Sequence, residues 1–386
     1  MKKKIAILGS TGSIGKTLIS IIDKEKKNFE IVLLTAHKNT KDLYNQAIKF
    51  KVKNLIITDK ESFINFKKKQ YKSNINVFND FNSIDKILKK KVDYTMSAIT
   101  GLDGLLPTLS IIKKTKNIAI ANKESIICGW SLIKKELDRN NTSFVPVDSE
   151  HFSIWYALRN KNQNIEKVYL TASGGPFFKL PLSKFKNIKV IDALNHPNWK
   201  MGRKISVDSA TMMNKVFELI EAKNIFQLSY DQLSILIHPK SYIHTLIKFT
   251  NGMIKIIAHE TNMKIPIFNT LHSNEQKKIK TPPIDIKTLN NLTLKKIDMK
   301  KYPITKIIDY LPSRNSLFET ILVSTNDEYV NLFLNGEIKF IEIQKKIIKF
   351  VKRNEFTKYK SIYPKNLKEI IDLNEYVRFK IKLISI

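Results

Sequence analysis

The chain has 386 residues, 42% hydrophobic and 26% charged, which suits two or three globular domains and excludes a disordered or collagen-like chain. Lys and Arg outnumber Asp and Glu by 67 to 35, so the net charge is +32. The lysines recur along the whole sequence, which indicates a Lys-rich surface rather than a nucleic-acid-binding tail. The single cysteine, Cys128, excludes a disulfide framework and a multi-cysteine zinc site and favours a reducing compartment.

The amino terminus has three lysines after Met1 and continues into the apolar run 5–8. That run ends at Gly9, which makes it shorter than the apolar region of a signal peptide. Apolar stretches elsewhere fall short of the ~18 residues that a membrane span requires. We therefore expect a soluble, cytoplasmic protein with no membrane partner.

Residues 1–147 alternate short apolar runs with helical patterns, which predicts an α/β fold with a doubly wound parallel sheet. The first strand is followed by a glycine-rich turn and a helix. The predicted strands of this region lie at 5–8, 31–34, 54–58, 94–99, 117–121 and 143–147.

The pattern changes after residue 147 to strands and helices in irregular order, which predicts an α+β domain over 148–272. Residues 273–299 contain Thr281-Pro282-Pro283 and little periodicity, so they are a predicted linker. From residue 300 to 386 the pattern is helical. The predicted strands of the α+β domain lie at 168–171, 233–237, 242–249 and 253–258, and the clearest late helical segments at 331–333 and 341–351.

The turn after the first predicted strand reads Gly9-Ser-Thr-Gly12-Ser-Ile-Gly15 and opens a helix. Glycines let a backbone approach a pyrophosphate closely, and a helix N-terminus supplies free N–H groups and the positive end of the helix dipole. The spacing GxxGxxG is only moderately specific, but its place directly after the first strand favours a dinucleotide site over a plain turn.

The end of the second predicted strand indicates which dinucleotide binds. Proteins that bind NAD usually carry an acid there to hold the ribose hydroxyls. Here the segment 34–39 has no acid, and it contains His37 and Lys38, which would attract a 2′-phosphate. The sequence therefore predicts NADPH.

Two carboxylates follow the strand predicted at 143–147. Asp148 and Glu150 lie two residues apart, so their side chains can point the same way and repel each other unless a cation joins them. Oxygen ligands of this kind suit Mg²⁺ or Mn²⁺. By itself the pair fits an exposed acidic surface better than a metal site.

The stretch 206–222 predicts an amphipathic helix capped by Asp208 or Ser209, with an apolar face on one side. Its polar face could be simply solvated, with a Lys–Glu pair at i,i+3. Beside the acidic pair, however, Glu218 becomes a candidate third metal ligand. Asn214 and Lys215 then become candidates for binding substrate oxygens.

Two further segments indicate binding of an anion. Residues 171–177, TASGGPF, combine small residues with the hydroxyl of Ser173 and can form an anion-binding nest or a simple turn. Residues 196–204, HPNWKMGRK, carry an imidazole, an indole and three cations, which is typical of a lid over an anionic substrate. The alternative for the second segment is a surface loop anchored by its tryptophan. His238 and His244 lie in apolar strands and are predicted core residues.

Together these segments resemble the 1-deoxy-D-xylulose 5-phosphate reductoisomerases, the NADPH- and divalent-metal-dependent enzymes of the non-mevalonate isoprenoid route. The resemblance covers nearly the whole chain and is densest from Gly9 to Met263. It is carried by the motifs GSTGSIG, ANKE at 121–124, PVDSEH, TASGGPF and HPNWKMGRKISVDSATMMNK.

The resemblance implies that the protein rearranges and reduces 1-deoxy-D-xylulose 5-phosphate, a sugar phosphate, to 2-C-methyl-D-erythritol 4-phosphate. It also implies a homodimer. The implied organisation is a Rossmann-like NADPH-binding domain over 1–147, a catalytic domain over 148–272, the linker 273–299 and a C-terminal helical domain over 300–386.

The resemblance also implies roles for single residues. Metal ligands are Asp148, Glu150 and Glu218. Catalytic residues are Glu150, Lys123 and His196, and Trp199 is the lid indole. The resemblance does not imply which group moves the proton, and we place Glu150 first because it would lie beside both the metal and the substrate. Cofactor contacts are Thr11, Gly12, Ser13, Ile14, His37, Lys38, Asn39, Asn122, Glu124 and Gly202. Substrate contacts are Lys123, Ser149, Glu150, Ser173, His196, Ser209, Asn214, Lys215 and Glu218. His37 stands where a glycine is usual in the family.

Two other classes of protein stay open. A plain NADPH dehydrogenase of the semialdehyde type needs a thiolate nucleophile, and Cys128 lies in an apolar segment typical of a core. Loss of activity on metal chelation would separate the two enzymes. A nucleic-acid binder is suggested only by the charge, because the sequence lacks a recognisable base-reading motif. We therefore expect no nucleic-acid partner.

Overall fold

The computed structural model describes residues 1–69, 74–159, 164–199, 201–273, 275 and 277–385. This part of the chain divides into two compact units. Unit 1 comprises Met1–Ser125, Ser131–Asp148 and Met263–Ile279, and unit 2 comprises Ile126–Trp130, Ser149–Asn262 and the chain from Lys280 onward. The division into four parts that the sequence pattern predicts remains a prediction, separate from this division into two units.

The described residues form strands, α-helices and short 3₁₀ turns. The strands are β1 (Lys3–Leu8), β2 (Phe29–Ala36), β3 (Asn54–Ile57), β4 (Asn76–Phe78), β5 (Val92–Ser97), β6 (Thr115–Ile120), β7 (Ser143–Pro146), β8 (Ile165–Ala172), β9 (Leu233–Ile237), β10 (Ile243–Phe249), β11 (Ile254–Ala258) and β12 (Lys295–Lys296). The helices are α1 (Ser13–Lys24), α2 (Thr40–Phe50), α3 (Lys60–Lys69), α4 (Ile84–Ile87), α5 (Leu105–Ile112), α6 (Lys123–Arg139), α7 (Ser149–Leu158), α8 (Val190–Leu194), α9 (Arg203–Thr211), α10 (Met213–Phe226), α11 (Lys264–Leu271), α12 (Ile286–Leu289), α13 (Phe318–Leu334), α14 (Phe340–Val351), α15 (Asn354–Thr357) and α16 (Leu367–Ser385). The 3₁₀ turns are Lys26–Asn28, Phe81–Ser83, Leu102–Gly104, Leu182–Asn187, Tyr230–Gln232, Pro303–Tyr310 and Lys358–Lys360.

Unit 1 is built on a parallel sheet of seven strands in the order β4-β3-β2-β1-β5-β6-β7. The order reverses at β1, which pairs in parallel with both β2 and β5. This is the predicted doubly wound α/β fold, and ligands bind such sheets beyond the carboxyl ends of the strands at the reversal. The glycine-rich turn after β1 lies at that position.

The core of unit 1 explains why its strands are apolar throughout. Ile5 and Ile7 of β1 are fully buried, as expected when helices cover both faces of a parallel sheet. Helix α11, far along the sequence, is part of this core: Ile267 and Leu271 pack in the same cluster. The hydroxyl of Thr270 lies 2.8 Å from the hydroxyl of Tyr94 on β5.

Unit 2 contains a mixed sheet of five strands in the order β11-β10-β8-β9-β12. Strand β8 is parallel to β9 and antiparallel to β10. Helices α7 and α10 pack on this sheet through buried side chains that include Ile154, Leu219 and Ile247. The pairing of β10 with β11 is interrupted between Ile243 and Thr245, so one residue of β10 bulges out of the ladder.

The C-terminal helices are tied to the middle of unit 2 by buried polar contacts. The amide of Asn326 on α13 donates to the carboxylate of Asp208 on α9 at 2.8 Å. Lys204, at the start of α9, lies 2.9 Å from Asp327, which also pairs with Arg378 on α16. Helix α13 therefore fixes the position of α9. Within the described ranges, we found no helix whose length and hydropathy would let it cross a bilayer.

Candidate active site

The glycine-rich turn needs glycine at two positions. Gly9 has a φ of +78°, and a Cβ there would lie 2.7 Å from the carbonyl oxygen of Ala98. A Cβ on Gly15 would lie 2.5 Å from the carbonyl oxygen of Gly9. Gly12 caps α1, whose first turn has no acidic residue. The first amides of this helix are therefore available to an anion, since helix N-termini carry free N–H groups.

The three residues predicted to face the 2′ end of the cofactor follow β2 and are exposed. The Nδ1 atom of His37 lies 2.9 Å from the hydroxyl oxygen of Thr58. Asn39 caps α2, because its side-chain oxygen accepts from the backbone N–H of Asp42 at 3.2 Å. Lys38, between His37 and Asn39 in the sequence, is exposed.

The segment 122–124 begins helix α6. The side-chain oxygen of Asn122 accepts from the N–H of Ser125, and its amide donates to the carbonyl of Gly101 at 2.7 Å. Lys123 forms an ion pair with Asp148 at the end of β7. Glu124 is buried.

The structure brings the three acids together. Asp148 is joined through Ser149 to Glu150 in the first turn of α7, and Glu218 lies on α10. One carboxylate oxygen from each of Asp148, Glu150 and Glu218 lies within 4.8 Å of the other two. Glu150 and Glu218 are buried, and Asp148 is half-buried. Hard oxygen donors this close together suit a divalent cation such as Mg²⁺ or Mn²⁺.

Lys215 compensates the charge of the two buried acids. Its ammonium donates to Glu150 and to Glu218, and only 6% of the residue is exposed. Burial would raise the pKa of Glu150, but Lys215 and His244 hold it well below its ordinary value. Burial would lower the pKa of Lys215, yet the two carboxylates raise it. Glu150 and Lys215 are therefore charged together.

Neighbouring side chains orient these acids. The hydroxyl of Ser149 donates to Glu150 at 2.6 Å, and the amide of Asn214 donates to Glu218. The ring of His151 lies 2.9 Å from the backbone oxygen of Glu218. The first two contacts hold the carboxylates of Glu150 and Glu218 in defined positions, and the third holds the backbone of α10 beside them.

One expectation about this region was wrong. A single helix over 206–222, capped at Asp208 or Ser209, does not form, because α9 begins at Arg203 and ends at Thr211. Met212 adopts a left-handed conformation with φ of +68° and separates α9 from α10. The polar face of α10 is not solvated either, since Lys215 and Glu218 are buried.

Ser173 and His196, predicted from separate motifs, are in contact. The Nε2 atom of His196 lies 3.0 Å from the hydroxyl of Ser173, and its Nδ1 accepts from the N–H groups of Asn198 and Trp199. Because Nδ1 accepts, the neutral ring carries its proton on Nε2 and donates to Ser173. Burial and the charge of Lys215 lower the pKa of His196 to about 4. His196 is therefore a neutral donor near pH 7.

The remaining predicted residues lie on or beside α9. Gly202 caps this helix and is exposed. Ser209 lies against the TASGGPF loop, since a Cβ on Gly175 would be 2.9 Å from its backbone oxygen. Trp199 is half-buried, and Lys200 of the same segment lies outside the described residues. The structure thus gathers most of the predicted substrate residues around Lys215 and the loop after β8.

Sequence reasoning missed two features of this region. His238 and His244 are buried, as predicted, but His244 also interacts electrostatically with Glu150 and Lys215. His259, which no motif singled out, stacks on His244 with ring centroids 3.7 Å apart. Cys128 is fully buried and therefore a poor candidate for a nucleophile.

Comparison with known proteins identifies the family. A family model described as 1-deoxy-D-xylulose 5-phosphate reductoisomerase matches residues 5–129, and models of the C-terminal domains of the same enzyme match 144–226 and 259–380. The chain is 59% identical over 387 residues to the 1-deoxy-D-xylulose 5-phosphate reductoisomerase of Pelagibacter ubique (strain HTCC1062), covering 100% of both chains. It is 37% identical to the enzyme of the same name from Clostridium novyi (strain NT), covering 88% of this chain and 90% of that one.

Solved structures agree with these matches. The reductoisomerase from Zymomonas mobilis in complex with NADPH superposes with a TM-score of 0.88 at 28% identity, covering 100% of this chain and 99% of that one. A DOX-P reductoisomerase in complex with NADPH, fosmidomycin and magnesium gives a TM-score of 0.86 at 30% identity, covering 99% and 98%. The chain therefore belongs to the 1-deoxy-D-xylulose 5-phosphate reductoisomerase family.

Proposed function

We propose that the protein is a reductoisomerase that converts 1-deoxy-D-xylulose 5-phosphate to 2-C-methyl-D-erythritol 4-phosphate with NADPH and a divalent cation. This reaction belongs to the non-mevalonate route to isoprenoid precursors. The relatives with this name, and their structures with NADPH and magnesium, support the proposal. The observation that carries it is the convergence of three acids, far apart in sequence, within 4.8 Å.

Asp148, Glu150 and Glu218 would hold Mg²⁺ or Mn²⁺. Three carboxylates fit such an ion, because they supply hard oxygen ligands and a net negative charge. A cation held by these residues would supply Lewis-acid chemistry toward the carbonyl group of the substrate. Lys123 and Lys215, each paired with one or more of these acids, offset part of their negative charge and hold the carboxylates in place.

NADPH would bind on unit 1, where it would supply the hydride for reducing the rearranged aldehyde. The first turn of α1 holds its phosphates, and the exposed Lys38 attracts the 2′-phosphate. Asn122 fixes the start of α6 next to these loops. The residues proposed to contact the cofactor are Thr11, Gly12, Ser13, Ile14, His37, Lys38, Asn39, Asn122, Glu124 and Gly202.

The substrate would lie on unit 2. Ser173, His196, Ser209, Asn214 and Lys215 hold its phosphate, with neutral His196 acting as a donor through Nε2. Glu150, which contacts both Ser149 and Lys215, is the group we assign to moving the proton during the rearrangement.

The lid residues would exclude bulk water from the active site during the reaction. Trp199 and the segment 196–204 cover the bound substrate and exclude water, so the intermediate aldehyde stays bound until it is reduced. The remaining substrate contacts that we propose are Lys123, Ser149 and Glu218.

We also infer that the enzyme is a homodimer that acts in the cytoplasm. The exposed apolar side chains of Ile254 and Ile256 on the edge strand β11 support the first inference, because apolar edges of this kind are usually covered by a partner. A sequence with one buried cysteine supports the second. Light scattering coupled to size-exclusion chromatography tests the dimer.

The proposed function is tested by NADPH oxidation with 1-deoxy-D-xylulose 5-phosphate, with Mg²⁺ and with a chelator. Wild-type protein should turn over only with the metal. Glu218→Gln should lower kcat by at least about 100-fold, because one metal ligand is lost. Its Kd for NADPH should stay within about twofold of wild type, since unit 1 is unchanged.

Glu166→Gln is the matched control, because Glu166 is an exposed acid of the same unit that pairs only with Lys248 among its described ion pairs. It should behave like wild type. Turnover that survives chelation would contradict the proposal and favour a metal-independent dehydrogenase. Equal loss of turnover and of NADPH binding in Glu218→Gln would contradict the ligand assignment.

A further inference from the structure

His244 is the bulged residue of β10. Ile243 pairs with Ala258 and Thr245 with Ile257, so His244 has no opposite residue in the ladder. The hydroxyl of Thr171 on β8 donates to the backbone oxygens of Ile243 and His244. Bulges re-aim one side chain and are common beside active sites.

His259 follows the end of β11 and lies directly over this side chain. Its N–H donates to the carbonyl of Tyr242 at 3.0 Å, which holds its backbone beside the bulge. The two imidazole rings stack with centroids 3.7 Å apart and planes 20° apart. The Nε2 atom of His244 donates to the backbone oxygen of His259 at 3.2 Å.

These contacts set the protonation pattern of both neutral rings. His244 carries its proton on Nε2, because a carbonyl oxygen can only accept. His259 carries its proton on Nδ1 for the same reason, since Nδ1 lies 2.8 Å from the backbone oxygen of Glu260. His244 therefore keeps Nδ1 as an acceptor, and one face of its ring is covered by a second ring.

The stacked pair lies beside the groups of the candidate active site. The rings of His244 and Trp199 meet in a T-shaped arrangement, with centroids 6.2 Å apart and planes at 69°. Burial lowers the pKa of both imidazoles, and the carboxylate of Glu150 offsets this only in part. Because His244 is 1% exposed, its ring has little space in which to turn while His259 is in place.

We propose that His259 is a positioning residue of the reductoisomerase. Its ring fixes the plane of the His244 ring, and this fixed ring is the surface against which Trp199 packs when it closes over the substrate. This inference rests on the proposed function. His259 does not itself exchange a proton or touch the metal ligands in this role. Its contribution is the stacking surface, which a flat ring of another kind can supply.

The experiment compares His259→Ala, His259→Phe and His259→Gln in the full-length enzyme. His259→Ala removes the ring and should raise KM for 1-deoxy-D-xylulose 5-phosphate by roughly three- to tenfold, the range expected for loss of one aromatic contact. Its kcat should change less than about twofold, because substrate and transition state lose the same support. KM for NADPH should not change.

The other two variants separate stacking from simple filling of space. His259→Phe keeps a flat ring and should restore KM to within about twofold of wild type. His259→Gln has a similar length and no ring, so its KM should stay near that of His259→Ala. Urea unfolding of each variant shows whether it is folded, and the comparison of Phe with Gln holds even if the Ala variant is unstable.

Failure of the positioning role and failure of the proposed function give different results. Unchanged KM in a folded His259→Ala enzyme, or equal rescue by Phe and Gln, would overturn the positioning role and leave the proposed function intact. A wild-type protein without reductoisomerase activity would overturn both.

Discussion

Lys215 and Glu150 form an ion pair in which both side chains are buried, although 65 positions separate them in the sequence. The same ammonium also binds Glu218, so one cation faces two acids. Removing one partner of a buried pair leaves an uncompensated charge, which typically costs about 3–5 kcal/mol. The pair therefore ties the chemistry of the site to the stability of unit 2.

Replacing Lys215 with methionine tests this link. In the presence of a chelator, Lys215→Met should lower the free energy of unfolding by about 3 kcal/mol or more, because two buried carboxylates lose their cation. Added Mg²⁺ should raise the melting temperature of this variant more than that of wild type, since a dication can replace the ammonium. Thermal melts with and without the metal measure both effects.

The control for that experiment is Lys248→Met, which breaks an exposed pair with Glu166 and should leave the stability close to that of wild type. Equal responses to Mg²⁺ in the Lys215 variant and wild type would mean that the cation binds elsewhere.

Two glycines of the turn after β1 should respond differently to alanine. Gly15→Ala places a Cβ 2.5 Å from the carbonyl oxygen of Gly9, so α1 must move and the protein should lose about 1–3 kcal/mol of stability together with NADPH binding. Gly12→Ala places its Cβ at 3.4 Å from the same oxygen, an ordinary contact, and should keep wild-type stability within about 1 kcal/mol. Urea unfolding and NADPH fluorescence titration compare the two variants.

The preference for NADPH should depend on Lys38. Lys38→Ala should raise KM for NADPH about tenfold, because it removes a charged partner of the 2′-phosphate, and should leave KM for NADH unchanged. The matched control is Lys41→Ala, which removes an exposed lysine in the first turn of α2, three residues after Lys38. A parallel rise for both cofactors would show that Lys38 supports the loop and not the phosphate.

Glu319 should make stability fall as the pH rises. Burial raises its pKa from 4.5 to about 7, and Lys223, 3.8 Å away, offsets this only in part. The folded state therefore holds a proton that the unfolded state releases above pH 4.5. The resulting stabilisation, about 3 kcal/mol, is complete below pH 4.5 and is lost as the pH rises through about 7.

Glu319→Gln cannot release this proton, so its stability should change less than that of wild type between about pH 5 and pH 8. Urea unfolding at several pH values measures the difference. Glu337→Gln, at an exposed acid, should keep the wild-type profile. Identical profiles for Glu319→Gln and wild type would show that Glu319 is ionised in the fold throughout.

Local patterns explain what could be predicted from the sequence. β1 and the turn after it were predictable, because an apolar run followed by spaced glycines has few alternative structures. Strand β4 was missed, since three residues are too few to show a period. The break at Met212 was missed because a left-handed methionine leaves no sequence signal.

Contacts between distant segments could not be derived from any local pattern. The sequence pattern of α10 is that of a solvent-exposed charged face. Only the fold shows that Lys215 is buried against an acid on α7. The stack of His259 on His244 depends on a bulge in β10, which apolar periodicity does not reveal. The three candidate metal ligands were predicted because motifs of a known family carry them, and no local pattern shows that they converge.

Helix α11 has a consequence for biosynthesis. Ile267 and Leu271 complete the core of a sheet whose last strand ends at Pro146. At typical rates of translation the ribosome delivers this helix on the order of ten seconds after that strand. Until then the nascent nucleotide-binding unit exposes an apolar face, so its folding is completed only late in translation, and the exposed face is a natural point for chaperone engagement.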